Sequence, residues 1–193
     1  HCLSSAASDV YKRQELGDKK DYCIYTDTDS VFYPALPLVQ KRYPDADVSN
    51  DEFMTKQILL VAKEVQDFIN NGYDYFAGKF LNVKGEHKFD IKQECVAKSA
   101  FWVTKKRYGQ WIINDGGIKC DKLDVKGLDI VKSNFPPAMR DLMTKVLKDI
   151  LADVDKEIID EQIYDFKKKM KTLPIYDIAS PTGVRGLNKY CLL

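Results

Sequence analysis

The chain offers little cysteine chemistry. Its five cysteines, Cys2, Cys23, Cys95, Cys120 and Cys191, form no Cys-x-x-Cys pair and are odd in number. That usage argues against a disulfide framework or a zinc site and fits a reducing, cytoplasmic setting. No apolar run approaches the length of a membrane span, so no membrane partner is expected. Net charge is almost absent: 30 Lys and Arg against 29 Asp and Glu leave +1, a balance that names no partner. No internal repeat is visible.

What is present is enough to fold. The chain has 193 residues, 45% hydrophobic and 11% aromatic, room for one good core or for a partial domain plus a small second one. Charge is segregated along it. Lys98 to Lys148 holds eleven Lys or Arg and five Asp, whereas Asp149 to Asp165 holds seven acids and one Lys. A basic middle beside an acidic helix suits a face built for phosphates, or is plain surface segregation. The first fourteen residues, including Cys2-Leu3-Ser4-Ser5-Ala6-Ala7-Ser8-Asp9-Val10-Tyr11-Lys12-Arg13-Gln14, resemble a translated sequencing-adapter read-through, and 191–193 look similar in origin. Both are expected to be non-native and are set aside in fold reasoning.

Asp21 to Tyr25 is β-prone, and Val31-Phe32-Tyr33 resumes that pattern after a polar turn: strand, acidic turn, strand. Ser49-Asn50-Asp51-Glu52 supplies a helix cap and first-turn acids, and Phe53, Ile58, Val61, Val65 and Phe68 follow at helical spacing. The pattern predicts a helix over about 51–71, ended by Asn71-Gly72. Strands are expected over 87–96, 100–104, 109–114 and 118–125, with Asp115-Gly116-Gly117 as a turn. After Pro136-Pro137, Met139, Leu142, Met143, Val146, Leu147 and Ile150 form a helical stripe. A second helix is expected over 155–170, then a loop over 178–187.

Tyr25-Thr26-Asp27-Thr28-Asp29-Ser30 is the sharpest feature. It puts two carboxylates two residues apart at a strand-turn-strand junction. Paired carboxylates suit hard divalent cations, and Mg²⁺ favours one or two carboxylates plus phosphate oxygens. A bare Asp-x-Asp is most often turn chemistry. An EF-hand is excluded, because its sixth and twelfth positions would be Phe32 and Leu38 rather than Gly and Glu. The whole string, however, resembles the Tyr-x-Asp-Thr-Asp-Ser motif of family B DNA polymerases, the palm hairpin that carries catalytic metal. The resemblance implies Asp29 as direct metal ligand and Asp27 as supporting carboxylate.

Downstream segments continue the resemblance in order. Lys105-Lys106-Arg107-Tyr108 is similar to the family's Lys-Lys-x-Tyr signature, which implies primer-template contacts by Lys106 and Tyr108, with Lys105 and Arg107 beside them. Lysines there neutralise backbone charge without reading sequence. Alone, the same string reads as a solvated basic hairpin tip. Glu94 stands where family B palms carry an acid, a candidate third carboxylate or an exposed strand glutamate. Lys126-Gly127-Leu128-Asp129-Ile130-Val131-Lys132-Ser133 resembles the palm-thumb junction, with Asp129 for the usual Glu and Ser133 for a basic residue. It would set Lys126 and Lys132 near primer phosphates. Ser180 to Tyr190 resembles thumb loops of large tailed bacteriophage polymerases, with Arg185 and Lys189 supplying charge.

The expected fold is α+β: a partial polymerase palm, an antiparallel sheet with a packed helix over 15–126, then a mostly helical, truncated thumb over 127–190. The implied activity is primer extension by two-metal nucleotidyl transfer in DNA replication, with Mg²⁺ completed by an Asp outside the chain. The implied partners are primer-template DNA, deoxynucleoside triphosphates and a sliding clamp, in the cytoplasm of a cell or of a phage host. With half of a two-metal site, the chain alone should be inactive. The alternatives are a non-catalytic DNA-binding remnant and a metal-dependent phosphatase or nuclease.

Overall fold

A computed structural model describes residues 2–183. The architecture is α+β, with a three-stranded antiparallel sheet and packed helices. It divides into two units, one of residues 1–96 and 113–119, the other of 97–112 and 120–193.

The first unit is a helical layer carrying a hairpin. Helix α1 (Cys2–Leu16) packs on the two helices that follow the hairpin. Strands β1 (Tyr25–Asp27) and β2 (Ser30–Phe32) pair antiparallel, in the register Tyr25 with Phe32, Thr26 with Val31 and Asp27 with Ser30. The expected strand-turn-strand is therefore present. Helix α2 (Leu36–Arg42), which the sequence pattern did not reveal, starts with proline in its first turn, where a missing N–H costs nothing. Helix α3 (Asp51–Lys79) is capped as expected, Phe53 N donating to Asn50 Oδ1 at 3.1 Å. Leu38, Val39, Val61, Val65 and Ile69 are the centre of this unit's core, flanked by Tyr11, Tyr33 and Tyr73.

Two expectations fail here, for physical reasons. Helix α3 does not stop at Gly72 but runs about two turns further, to Lys79. A mid-helix glycine costs about 1 kcal/mol; beyond it, Tyr73 packs on the core and Ala77 is fully buried, and that burial offsets the cost. Residues 87–94 are also not a strand. The backbone groups of Ile91 and Gln93 bond to side chains of α3 instead. Ile91 N donates to Asn70 Oδ1 at 2.9 Å, Asn70 Nδ2 donates to Ile91 O at 3.1 Å, and Gln93 N donates to Gln66 Oε1 at 2.8 Å. With these groups satisfied by side chains, the segment before Glu94 does not need a strand partner.

Strands β3 (Cys95–Thr104), β4 (Arg107–Asp115) and β5 (Ile118–Lys126) form the sheet, β4 central. In the second unit a 3-10 turn (Asp129–Val131) leads to α4 (Pro137–Leu151), then α5 (Lys156–Lys169), a second 3-10 turn and α6 (Ile175–Ile178). The stripe on α4 holds with one change: Val146, Leu147 and Leu151 are buried, while Ile150 faces solvent. Ser99 Oγ donates to Leu151 O at 2.6 Å, fastening β3 to the end of α4.

Candidate metal-binding hairpin and basic hairpin

Asp27 ends β1, and Thr28-Asp29 is the two-residue loop to β2. The favoured two-residue hairpin turns take a positive φ at their first loop position. Thr28 does so at φ +48°, a conformation costly for a β-branched residue. The tip is tied from within: Ser30 Oγ donates to Asp27 O at 2.9 Å, and Thr28 Oγ1 donates to an Asp27 carboxylate oxygen at 3.3 Å. Below it, the Tyr25 and Phe32 rings meet at 5.7 Å between centroids. Asp27 is half-buried and Asp29 exposed.

This all-oxygen pair fits a hard divalent cation in chemistry, as half of a coordination set. Among the described residues, no group of three or more His, Cys, Asp or Glu that could hold a metal is gathered. Glu94, in the first unit with the two aspartates, therefore makes no three-acid set with them. It is exposed, just before β3, and its carbonyl accepts from Gly116 N at 2.8 Å.

The floor under this hairpin is unusual. Lys12 of α1 is fully buried, its Nζ has no hydrogen-bond acceptor, and it lies 3.5 Å from the centroid of the Tyr33 ring. Burial, only partly opposed by Asp9, brings its pKa down to about 7. Burial likewise pushes the Tyr33 hydroxyl up to about 12.

In the second unit, Lys105-Lys106 is the two-residue loop between β3 and β4. Lys105, Lys106 and Arg107 are all exposed, and Lys106 has φ +61°. Tyr108, by contrast, is buried, 6.2 Å between ring centroids from Trp102. Of this string, three cations reach solvent and the tyrosine anchors the strand. Lys126 and Lys132 are exposed and already paired, with Asp124 at 3.2 Å and Asp129 at 2.5 Å. Lys132, and more weakly Arg107, hold the Asp129 carboxyl below the usual range. Arg185 and Lys189 lie outside the described residues.

Sequence reasoning missed Arg140. From α4 its guanidinium donates to three carbonyls of the segment after β5: Ile130 at 3.2 Å, Lys132 at 2.8 Å and Phe135 at 3.2 Å. A lone arginine on a helix gives no sign of this, because its acceptors are backbone groups of an irregular segment.

No family model matches the chain. Over 84 residues, 42% of this chain and 6% of the relative, it is 32% identical to the catalytic polypeptide of DNA polymerase alpha from Saccharomyces cerevisiae. Over 134 residues, 69% of this chain and 6% of the relative, it is 27% identical to a DNA polymerase of Thermococcus kodakarensis. The chain thus matches only a small part of either relative's length. This distant, partial homology to DNA polymerases is consistent with a DNA polymerase fragment and supports a DNA-polymerase-related role.

Proposed function

We propose that the chain is the C-terminal part of the palm and the start of the thumb of a family B DNA polymerase of the tailed-phage type. The observation that carries this reading is the acidic hairpin, with Asp27 and Asp29 displayed on a strained two-residue loop. It precedes a basic two-residue hairpin in the chain order the family requires. Similarity to two DNA polymerases supports it.

Asp29 would hold Mg²⁺ directly and Asp27 would support it, together with an Asp on a palm strand outside this chain. When bound, the ions supply activation of the primer 3′-hydroxyl and charge neutralisation for the departing pyrophosphate. The chain's own residues do the rest by position. The tip keeps two carboxylates in one place. Lys105, Lys106 and Arg107 neutralise phosphates of primer-template DNA without reading sequence, and Lys126 and Lys132 extend that track. Deoxynucleoside triphosphates and a sliding clamp are partners of the whole enzyme, in the host cytoplasm.

The purified chain should bind primer-template duplex in a salt-sensitive manner and incorporate no nucleotide with Mg²⁺. Template-dependent incorporation would overturn the half-site reading. Sequencing the locus upstream of Glu15 tests the larger claim. An in-frame strand bearing an Asp before Ser-Leu-Tyr-Pro, then a Lys-x-x-x-Asn-Ser-x-Tyr-Gly helix, is expected. Replacement of that Asp would leave a DNA-binding remnant as the better account.

A further inference from the structure

The turn that carries the basic hairpin does not stand alone. Gly127 has φ +67°, and its Cα faces the backbone of Lys106. A Cβ built there would overlap the Lys106 carbonyl oxygen, and it would lie 3.2 Å from the carbonyl carbon and 3.1 Å from Arg107 Cγ. Only glycine allows this approach, and Lys106 itself lies in the left-handed region at φ +61°. The segment that follows Gly127 is itself held: Lys132 pairs with Asp129 at 2.5 Å, and Arg140 donates to the carbonyls of Ile130, Lys132 and Phe135.

We infer that Gly127 is a positioning residue, a backbone lock that presses the Lys105-Lys106-Arg107 turn onto the Lys126–Lys132 segment so that both engage one duplex backbone as a rigid unit. This rests on the DNA-binding reading above. The lock explains why a glycine must follow Lys126. It also explains why a lysine tolerates left-handed backbone at a hairpin tip, where an asparagine or glycine would be easier.

The test is binding of a fluorescent duplex to the 193-residue chain across a sodium chloride series. Each phosphate contact contributes roughly 0.9 to the slope of log K against log salt. Gly127→Ala should displace the turn and lower that slope by about 2 to 3, the share of three cations. Gly72→Ala, with open space around it in α3, should leave the slope unchanged. Lys105→Ala should lower the slope by about 1 in the parent chain and by much less beside Gly127→Ala. A folded Gly127→Ala chain with the parental slope, or an equal Lys105→Ala loss in both backgrounds, would overturn the lock. Absence of duplex binding by the parent chain would instead overturn the reading beneath it. If Gly127→Ala does not fold, Lys106→Asn and Lys106→Ile decide. Both remove one charge, but only Asn accepts a positive φ. The lock requires a smaller slope for Lys106→Ile, and equal slopes overturn it.

Discussion

The acidic and basic hairpins each hold one non-glycine residue in left-handed backbone, Thr28 at the first loop position and Lys106 at the second, and a further hairpin among the described residues does not. Thr28-Asp29, Lys105-Lys106 and Gly116-Gly117 are all two-residue loops. Gly116 and Gly117 take φ +57° and +88°, the choice a hairpin makes when nothing else is asked of it. The other two force a threonine and a lysine into left-handed backbone, at φ +48° and +61°. The uncharged loop is relaxed, and the two charged tips are strained. Backbone strain tends to persist where the surroundings and a task require it, and here it marks the two segments that the functional reading uses.

The supports of the two tips differ more than the tips do. The basic turn lies against the backbone of Gly127. The segment after the acidic hairpin lies over a buried ammonium with no acceptor, and that is the first place to break the comparison. Lys12→Met keeps the bulk and removes the charge. It should stabilise the chain by about 1–3 kcal/mol at pH 6, the cost of an unsatisfied buried group. The sign with pH follows from a folded pKa of about 7 against an ordinary 10.5. Between those values the unfolded chain holds a proton that the folded chain has released, so the parent gains stability as pH rises from 7 towards 10.5. Below pH 7 both states are charged and the penalty is complete. Urea midpoints at pH 6 and pH 9.5 should therefore show a large gain for Lys12→Met, then a small one. An equal gain at both would mean that the ammonium is not penalised where it lies.

The second test imposes on the relaxed loop the strain of the others. Gly117→Val should cost about 1–2 kcal/mol in urea denaturation, the penalty of left-handed backbone for an L-residue. Gly117→Asn should cost much less, because Asn is far more frequent there. Because the surroundings of Gly117 are open, the difference between the two variants reads φ, and equal costs would overturn that reading.

Much of this was legible in the sequence because it is local. The Asp27-Thr28-Asp29 turn, the Asn50 cap and the Gly116-Gly117 turn each depend on a few neighbours in the chain. What was not legible depends on residues far apart. The 87–94 segment looked like a strand until Asn70 and Gln66 supplied its hydrogen bonds. Gly72 looked like a helix end until Tyr73 and Ala77 were found to be packed beyond it. Gly127 read as a boundary, because the carbonyl that makes glycine necessary belongs to Lys106. Of the candidate site, the side-chain types were readable, but the burial of Tyr108 and the pairing of Lys126 with Asp124 were not, nor was the lack, among the described residues, of a gathered three-acid set.

The smallest effect is the one that bears most directly on why the acidic tip is strained. Thr28→Gly removes a left-handed cost of about 1–2 kcal/mol and restores about 0.5–1 kcal/mol of unfolded-chain freedom. Stability should therefore rise by about 0.5–1 kcal/mol. If the strain serves only the backbone, nothing else should change. If it holds Asp27 and Asp29 in one arrangement, the relaxed loop should bind Mn²⁺, read by water-proton relaxation, several-fold more weakly than the parent chain. We expect the second result. The Thr28 hydroxyl donates to an Asp27 carboxylate oxygen, so the more stable variant is also the one whose carboxylates are less constrained. A gain in stability with unchanged Mn²⁺ affinity would leave the acidic hairpin no different in kind from the glycine loop.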